Sequence, residues 1–268
     1  MTDVADRRRR LGPPLVLVGL VLAAWELYAR ASGVSPFVLP APSDVLGSLW
    51  RFRDEAIRHS IPTVVETAVG FSASIAAATA VAVGLDRAVW ARRAVEPLLV
   101  GSQTIPIVAI APLVVVWFGF GLLPKVLVVI LVTFFPITIA LLDGFASTAP
   151  EATDLMRSFG ASPGQTFWKV RWPSGLPGFF TGLRISATYA VVAAVIGEYV
   201  GATDGLGIWM QLSQRSFRTD LVFAAILLTA VLSVALYGVV RAVERAVIPW
   251  YRASRGATRQ PERLSEAG

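Results

Sequence analysis

Six long apolar runs constrain this chain more than any other feature. They are Leu11–Tyr28, Thr67–Leu85, Leu98–Phe118, Val126–Leu142, Leu176–Ile196 and Leu221–Val240. A helix crossing the hydrocarbon core of a bilayer needs roughly 20 mostly apolar residues, and each run meets or approaches that length. One such run could be a buried helix of a soluble protein. Six in 268 residues exceed what a single globule of this size can bury. The composition agrees, with 55% hydrophobic and 16% charged residues, which also excludes intrinsic disorder. A formal net charge of +6 taken alone would suit a nucleic-acid binder, but the hydrophobicity does not. The expected class is an all-α integral membrane protein with six transmembrane helices and no nucleic-acid partner.

The first run invites comparison with a signal peptide, because Arg7–Arg10 precede it and Ala29-Arg30-Ala31 resembles a cleavage site. It is longer than most signal cores and five further runs follow, so it reads as an uncleaved first span. Basic residues set the orientation. With the N-terminus inside, 16 of the 24 Lys and Arg fall in inner segments and 7 in outer ones, with Arg184 inside a span. Arg7–Arg10 and the tail bearing Arg241, Arg245, Arg252, Arg255, Arg259 and Arg263 dominate the inner count. The expectation is a multi-pass protein of the cytoplasmic (inner) membrane with both termini cytoplasmic. Its Arg-rich tails would touch anionic lipid headgroups. Trp25, Trp117 and Trp209 fall near outer span ends, and Trp90, Trp168, Trp172 and Trp250 near inner ones, as expected of an interfacial belt.

Residue inventory removes several chemistries. The chain has no cysteine and one histidine, His59, so thiolate metal sites and disulfides are excluded. His59 follows Arg51-Phe52-Arg53-Asp54-Glu55 and reads as a solvated interfacial side chain. No Walker-type phosphate loop occurs. The chain is therefore expected to bind no metal, cofactor or ATP itself, and not to be an enzyme. Ionisable groups within spans are functional candidates by default; here they are Glu66, Arg184 and Glu198. Arg184 reads first as paired or snorkelling. Pro106 and Pro112 in the third run would kink a helix, either to line or gate a path or because proline is common in membrane helices.

The outer segments contain two predicted interfacial helices: Val45 to about Phe52, capped by Ser43, and Ile208 to Leu212, following Thr203-Asp204-Gly205-Leu206-Gly207. The inner loop Asp143–Gly175 is the most informative segment. Thr148-Ala149-Pro150-Glu151 has capping-box spacing. Arg157 suits a helix C-terminus, and Gly160 the position after it. Ser162-Pro163-Gly164-Gln165 begins a second capped helix, about Pro163 to Val170, expected to end before Pro173. Two short capped helices could dock in a groove of a partner or lie on the bilayer surface.

This loop resembles the membrane subunits of ATP-binding-cassette (ABC) importers, whose cytoplasmic loop carries an E-A-A-x3-G-x9-I-x-L-P pattern. Gly160, nine residues, Val170, one residue, Trp172 and Pro173 keep that spacing, while Asp154-Leu155-Met156 replace the acidic residue and two alanines. Leu39-Pro40-Ala41-Pro42-Ser43, Ile105-Pro106 through Ala111-Pro112-Leu113, Trp117-Phe118-Gly119 and Phe134-Phe135-Pro136-Ile137 are similar to the nitrate/sulfonate/taurine branch. Gly121–Val126, Leu141-Leu142-Asp143-Gly144, Val170–Pro173, Leu176–Phe180 and Gly182–Ala190 resemble permeases for thiamine pyrimidine precursors.

The resemblance implies a MetI-like type I ABC permease. Residues 1–10 and 246–268 would be cytoplasmic tails, 11–58 the first span and outer segment, and 59–245 the transmembrane type-1 domain. It implies a second copy of the chain, two ATPase subunits and a periplasmic or lipoprotein solute-binding protein as partners. The inner loop would be the coupling helix, with Asp154, Arg157, Gly160, Ala161, Ser162, Val170 and Pro173 at or near the ATPase contact. The solute would be a thiamine pyrimidine precursor, with sulfonate, taurine and nitrate as competitors. A secondary carrier independent of an ATPase is the alternative, and would be expected to show internal repeats and midplane ion ligands.

Overall fold

The computed structural model describes residues 2–251; Arg252, Arg255, Arg259 and Arg263 of the basic tail lie outside them. Every regular element among the described residues is helical. In order these are α1 (Thr2–Ala31), α2 (Pro42–Arg51), α3 (Arg53–Arg87), α4 (Val89–Ser102), α5 (Ile107–Phe118), α6 (Leu122–Ala146), α7 (Pro150–Ser158) and α8 (Pro163–Thr166). A π-helical turn (Phe167–Arg171), α9 (Trp172–Glu198), α10 (Leu206–Arg215) and α11 (Thr219–Val247) follow.

Five helical stretches, Gly12–Ala31, Arg53–Arg87, Leu122–Ala146, Pro163–Glu198 and Thr219–Val247, are long and apolar enough to cross a membrane. The third expected span is not one helix. It is the pair α4 and α5, bent by 100° at residues 103–106. The cause is local: Pro106 has no N–H to donate, and the residue before a proline avoids the helical region. Ser102 and Thr104 hydroxyls donate to the carbonyls of Leu99 (2.7 Å) and Gly101 (2.8 Å), capping the broken end. Pro106 precedes the first turn of α5 with φ −63° and ψ 117°. Pro112 lies inside α5, and both prolines are exposed.

The core of the bundle is α3, α6 and α9. Where α6 crosses α9, glycine lets the backbones touch. A Cβ on Gly144 would lie 2.7 Å from the Gly175 carbonyl oxygen, and one on Gly182 would lie 2.8 Å from that of Pro136. Gly178 is equally closed, against Ala140 and Gly144. Small residues at such spacing are how membrane helices pack closely where lipid supplies no hydrophobic drive. Phe71, Val128, Val129, Ile137, Phe180, Leu183 and Ala190 fill the space between the three helices.

The bundle has two distinct ends. At one, Arg171 meets Asp86 at the end of α3 (2.7 Å), and Arg92 of α4 lies 3.7 Å from Asp143 of α6. The α7–α8 hairpin projects from this end. At the other, distal end, the starts of α3 and α6 gather with the end of α9 and with α10. There the Ser48 hydroxyl of α2 donates to Asp220 of α11 (2.6 Å). Phe120, just after α5, sits where a Cβ on Gly201 would fall, so the broken pair α4–α5 runs from the hairpin end to the distal end. Counted as one broken span, it brings the candidate spans among the described residues to six.

Several local expectations are corrected. Ser43 does not cap α2: Ala41 is the N-cap and Pro42 the first residue, and the Ser43 hydroxyl instead donates to Glu26 (2.8 Å). Trp209 is not interfacial; it is 3% exposed and packs with Val45, Ala56 and Leu221. α10 is correspondingly half-buried rather than laid on a surface, with Leu206, Gly207 and Ser213 also buried.

Candidate coupling loop and a buried charge cluster

The hairpin is built by two complementary helix ends. α7 closes with a Schellman motif: the Ala161 N–H donates to the Met156 carbonyl (3.0 Å) and the Gly160 N–H to that of Arg157 (2.9 Å). The motif requires a left-handed residue, and Gly160 supplies it with φ +75°. α8 opens with the expected capping box. The Gln165 N–H donates to the Ser162 hydroxyl (3.3 Å), and the Ser162 N–H to the Gln165 side chain (2.8 Å). The reversal between the helices therefore leaves few backbone groups wanting partners. The other expected box is absent. Ala149, not Thr148, is the N-cap of α7, so Glu151 stands one position too early and the buried Thr148 hydroxyl is unpaired.

The second helix does not end before Pro173. It passes through the π turn into α9, forming one stretch from Pro163 to Glu198. In the π turn the Trp172 N–H donates to the Phe167 carbonyl, one residue further back than in an α-helix. Pro173 follows directly, so its missing N–H falls where the hydrogen-bond ladder shifts from the π to the α pattern, and the Ser174 hydroxyl donates to the Val170 carbonyl (2.8 Å). Val170 and Pro173 are half-buried. They form the join between hairpin and span. Asp154, Arg157, Gly160 and Ser162 are exposed and Ala161 half-buried, on the projecting part.

That projecting part carries apolar groups outward. Leu155 is 57%, Phe159 78% and Trp168 61% exposed. Asp154 and Arg157 pair loosely at 3.3 Å on the same face. Beneath, the hairpin is clamped. Phe167 is buried against Ala82 of α3 and Leu141, Leu142 and Phe145 of α6, with Trp172 closing the aromatic group. Arg87 lies over the Phe167 ring at 5.9 Å, and Arg171 holds Asp86, whose side chain is 4% exposed. The base of the hairpin is thus fastened to α3, α6 and α9 together.

The spans hold more charge chemistry than the sequence suggested. Arg184 is paired, as first read, with both Glu244 oxygens (3.0 and 2.9 Å). Glu198 is fully buried at the distal end, hydrogen-bonded by the Thr63 hydroxyl and the Gly207 N–H, each at 2.5 Å. Glu66 is buried beside it and paired with Lys125 at 2.5 Å. His59 is not solvated: it is 7% exposed, stacks on Trp209 at 6.0 Å, and its Nδ1 accepts from the Gly205 N–H (3.1 Å). α3 begins at Arg53, well before the apolar run, which draws His59 and Thr63 into the bundle. At the rim Arg58 grips Asp204 (2.7 and 3.0 Å), and that hydrogen bonding holds the Asp204 carboxyl below its usual pKa. Lys125 beside an apolar run and Glu66 at the head of another were the sequence signals available; nothing in the sequence paired them. No group of His and carboxylates among the described residues has the makings of a metal site.

Residues 70–249 match the family described as the binding-protein-dependent transport system inner membrane component. The chain belongs to that family. As an ABC importer permease it has curated relatives along nearly its whole length. One is the formylaminopyrimidine transport permease protein ThiX of Halalkalibacterium halodurans, 34% identical over 238 residues, covering 88% of this chain and 95% of the relative. Another is the riboflavin transport system permease protein RibX of Chloroflexus aurantiacus, 34% identical over 242 residues and covering 90% of each. Among solved structures, that of an amino acid ABC transporter aligns with TM-score 0.61 at 12% identity, over 75% of the permease and 97% of that chain. This likeness shows the type I permease fold. The permease is a multi-pass protein of the inner membrane, and its family implies ATPase and solute-binding partners.

Proposed function

We propose that this permease imports a small nitrogen heteroaromatic solute, a thiamine pyrimidine precursor first. It would work as a homodimer, driven by two ATPase subunits that dock on the α7–α8 hairpins. The observation that carries the docking reading is the hairpin itself. It shows exposed Leu155, Phe159 and Trp168 on the α7–α8 hairpin and the π turn that follows, with the reversal between the helices closed by a Schellman motif and a capping box, while Phe167 and Arg171 fasten it to three spans. Apolar groups that could have been buried but are held outward on a rigid support suit a partner's groove. The basic excess on this side supports a cytoplasmic hairpin and cytoplasmic termini. ATP hydrolysis then belongs to the partner subunits, since the chain has no phosphate-binding loop of its own.

The choice of solute rests on the relatives. ThiX and RibX are equally similar to this chain and are named for different solutes, but both solutes are flat nitrogen heteroaromatics. That supports the class over sulfonate, taurine or nitrate. The decisive experiment reconstitutes the permease with its ATPase and solute-binding protein in proteoliposomes and follows uptake. ATP-dependent uptake of formylaminopyrimidine, saturable and dependent on the binding protein, is expected. ATP hydrolysis by the purified permease alone, or uptake without the ATPase, would overturn the reading.

A further inference from the structure

The distal end of the bundle is joined by ionisable and hydroxyl groups where apolar packing would serve equally well. Three successive backbone N–H groups at the start of α10, from its N-cap Gly205 onward, end on side chains of the spans: Gly205 on His59, Leu206 on Thr63 (3.0 Å), Gly207 on Glu198. Thr63 also donates to Glu198, so one hydroxyl bridges α3, α9 and α10. Next to it Lys125 of α6 holds Glu66 of α3, whose second oxygen is buried without a partner. The fit is specific to glycine: a Cβ on Gly205 would run into the Glu198 carboxyl, and one on Gly207 would lie 3.0 Å from it.

Such a seam has no advantage in stability, because buried ion pairs gain little over apolar packing of the same volume. Its advantage is in opening. An apolar joint pulled apart loses free energy in proportion to the area exposed. A joint of carboxylates, hydroxyls and amides is rehydrated when it parts. Water already reaches its edge at the exposed Arg58–Asp204 pair.

We propose that Thr63, Glu198 and the Glu66–Lys125 pair are positioning residues of a latch. The latch holds the 203–205 turn and the start of α10 against α3 and α9, with the Glu66–Lys125 pair tying α3 to α6 beside it, while the distal end is closed, and parts when that end opens to receive solute. The inference rests on the reading of the chain as an ATP-driven importer. The latch lies at the far end of the same three helices that the hairpin clamps, so closure of the ATPases reaches it through α3, α6 and α9.

The test uses the assembled transporter with Thr63→Val and, separately, Glu198→Gln. Spin labels are placed through Ile57→Cys on α3 and Gln211→Cys on α10, in a chain with no native cysteine. Thr63→Val removes the hydroxyl that joins Glu198 to the Leu206 N–H, and Glu198→Gln replaces one of two accepting oxygens by an amide NH2 that cannot accept; a lost hydrogen bond of ordinary strength shifts the open population about two- to tenfold. Without nucleotide, both variants should add a longer component to the label distances and raise ATPase activity in the absence of binding protein. Wild-type distances in an assembled Thr63→Val complex would overturn the latch. So would loss of binding-protein-free and binding-protein-stimulated ATPase together, which is the mark of a merely structural role. Should Glu198→Gln fail to fold, Thr63→Val decides alone. A wild-type complex with no binding-protein-stimulated ATPase would instead sink the importer reading, and the distance measurement still judges the latch.

Discussion

Replacing Gly160 by alanine isolates backbone strain in the hairpin from crowding. Gly160 has φ +75°, and a Cβ built on it meets nothing within 4 Å. The cost is then the left-handed penalty of an L-residue, about 1–2 kcal/mol, with no packing contribution. Relief of that strain means leaving the left-handed region, which breaks both Schellman bonds and lets α7 swing relative to α8. A penalty of this size is a factor of about 5–30 in the ratio of intact to relaxed hairpin. Partner affinity falls with the competent fraction, so the ATPase should bind more weakly by up to that factor. The spans should be untouched, because nothing packs on Gly160. Gly160→Arg carries the same strain and adds a long cation to the docking face; it should insert normally and lose transport and ATPase coupling. The assay titrates ATPase subunits onto permease in nanodiscs while melting temperature is followed in parallel. Wild-type affinity in both variants, with normal assembly, would refute the assignment of the hairpin as the docking element.

Three further outcomes follow from the packing. Gly178→Ala drives a methyl into the Ala140 and Gly144 backbone and should destabilise the bundle by about 1–3 kcal/mol or more, seen as a lower melting temperature in detergent; Gly84→Ala, which has open space, should not. Lys125→Met leaves Glu66 buried and uncompensated and should cost about 3–5 kcal/mol; adding Glu66→Leu should restore most of it, read by the same melts. Arg171→Ala strips the partner from Asp86 and loosens the hairpin clamp, so the ratio of solute moved to ATP hydrolysed should fall while ATPase binding persists.

What was legible in the sequence was what is local. A crossing helix announces itself through about 20 apolar residues, and the capping box at Ser162 and the left-handed Gly160 need only their immediate neighbours. Thr148 misled because the box spacing fits, while Pro150 starts the helix one residue after Ala149. Pro173 misled because a proline ordinarily stops a helix, and the π turn that accommodates it has no sequence signature. The distal cluster was beyond reach for a different reason. Glu66 and Lys125 are 59 residues apart, and Thr63 and Glu198 are 135 apart; only the crossing of α3, α6 and α9 brings them together. His59 looked solvated because its sequence neighbours are charged, yet burial there is decided by α10.

Everything proposed for transport depends on the ATPase engaging the α7–α8 hairpin. Site-specific cross-linking tests it directly, since the chain lacks native cysteine. Phe159→Cys and, as a distal control, Phe217→Cys are each introduced into the assembled transporter and treated with a short bifunctional reagent. Phe159 and Phe217 are comparably exposed, at 78% and 77%, so accessibility does not favour either. A permease–ATPase adduct is expected from position 159 and none from 217. An adduct from 217, or none from 159 while the ATPase remains bound, would contradict docking on the hairpin.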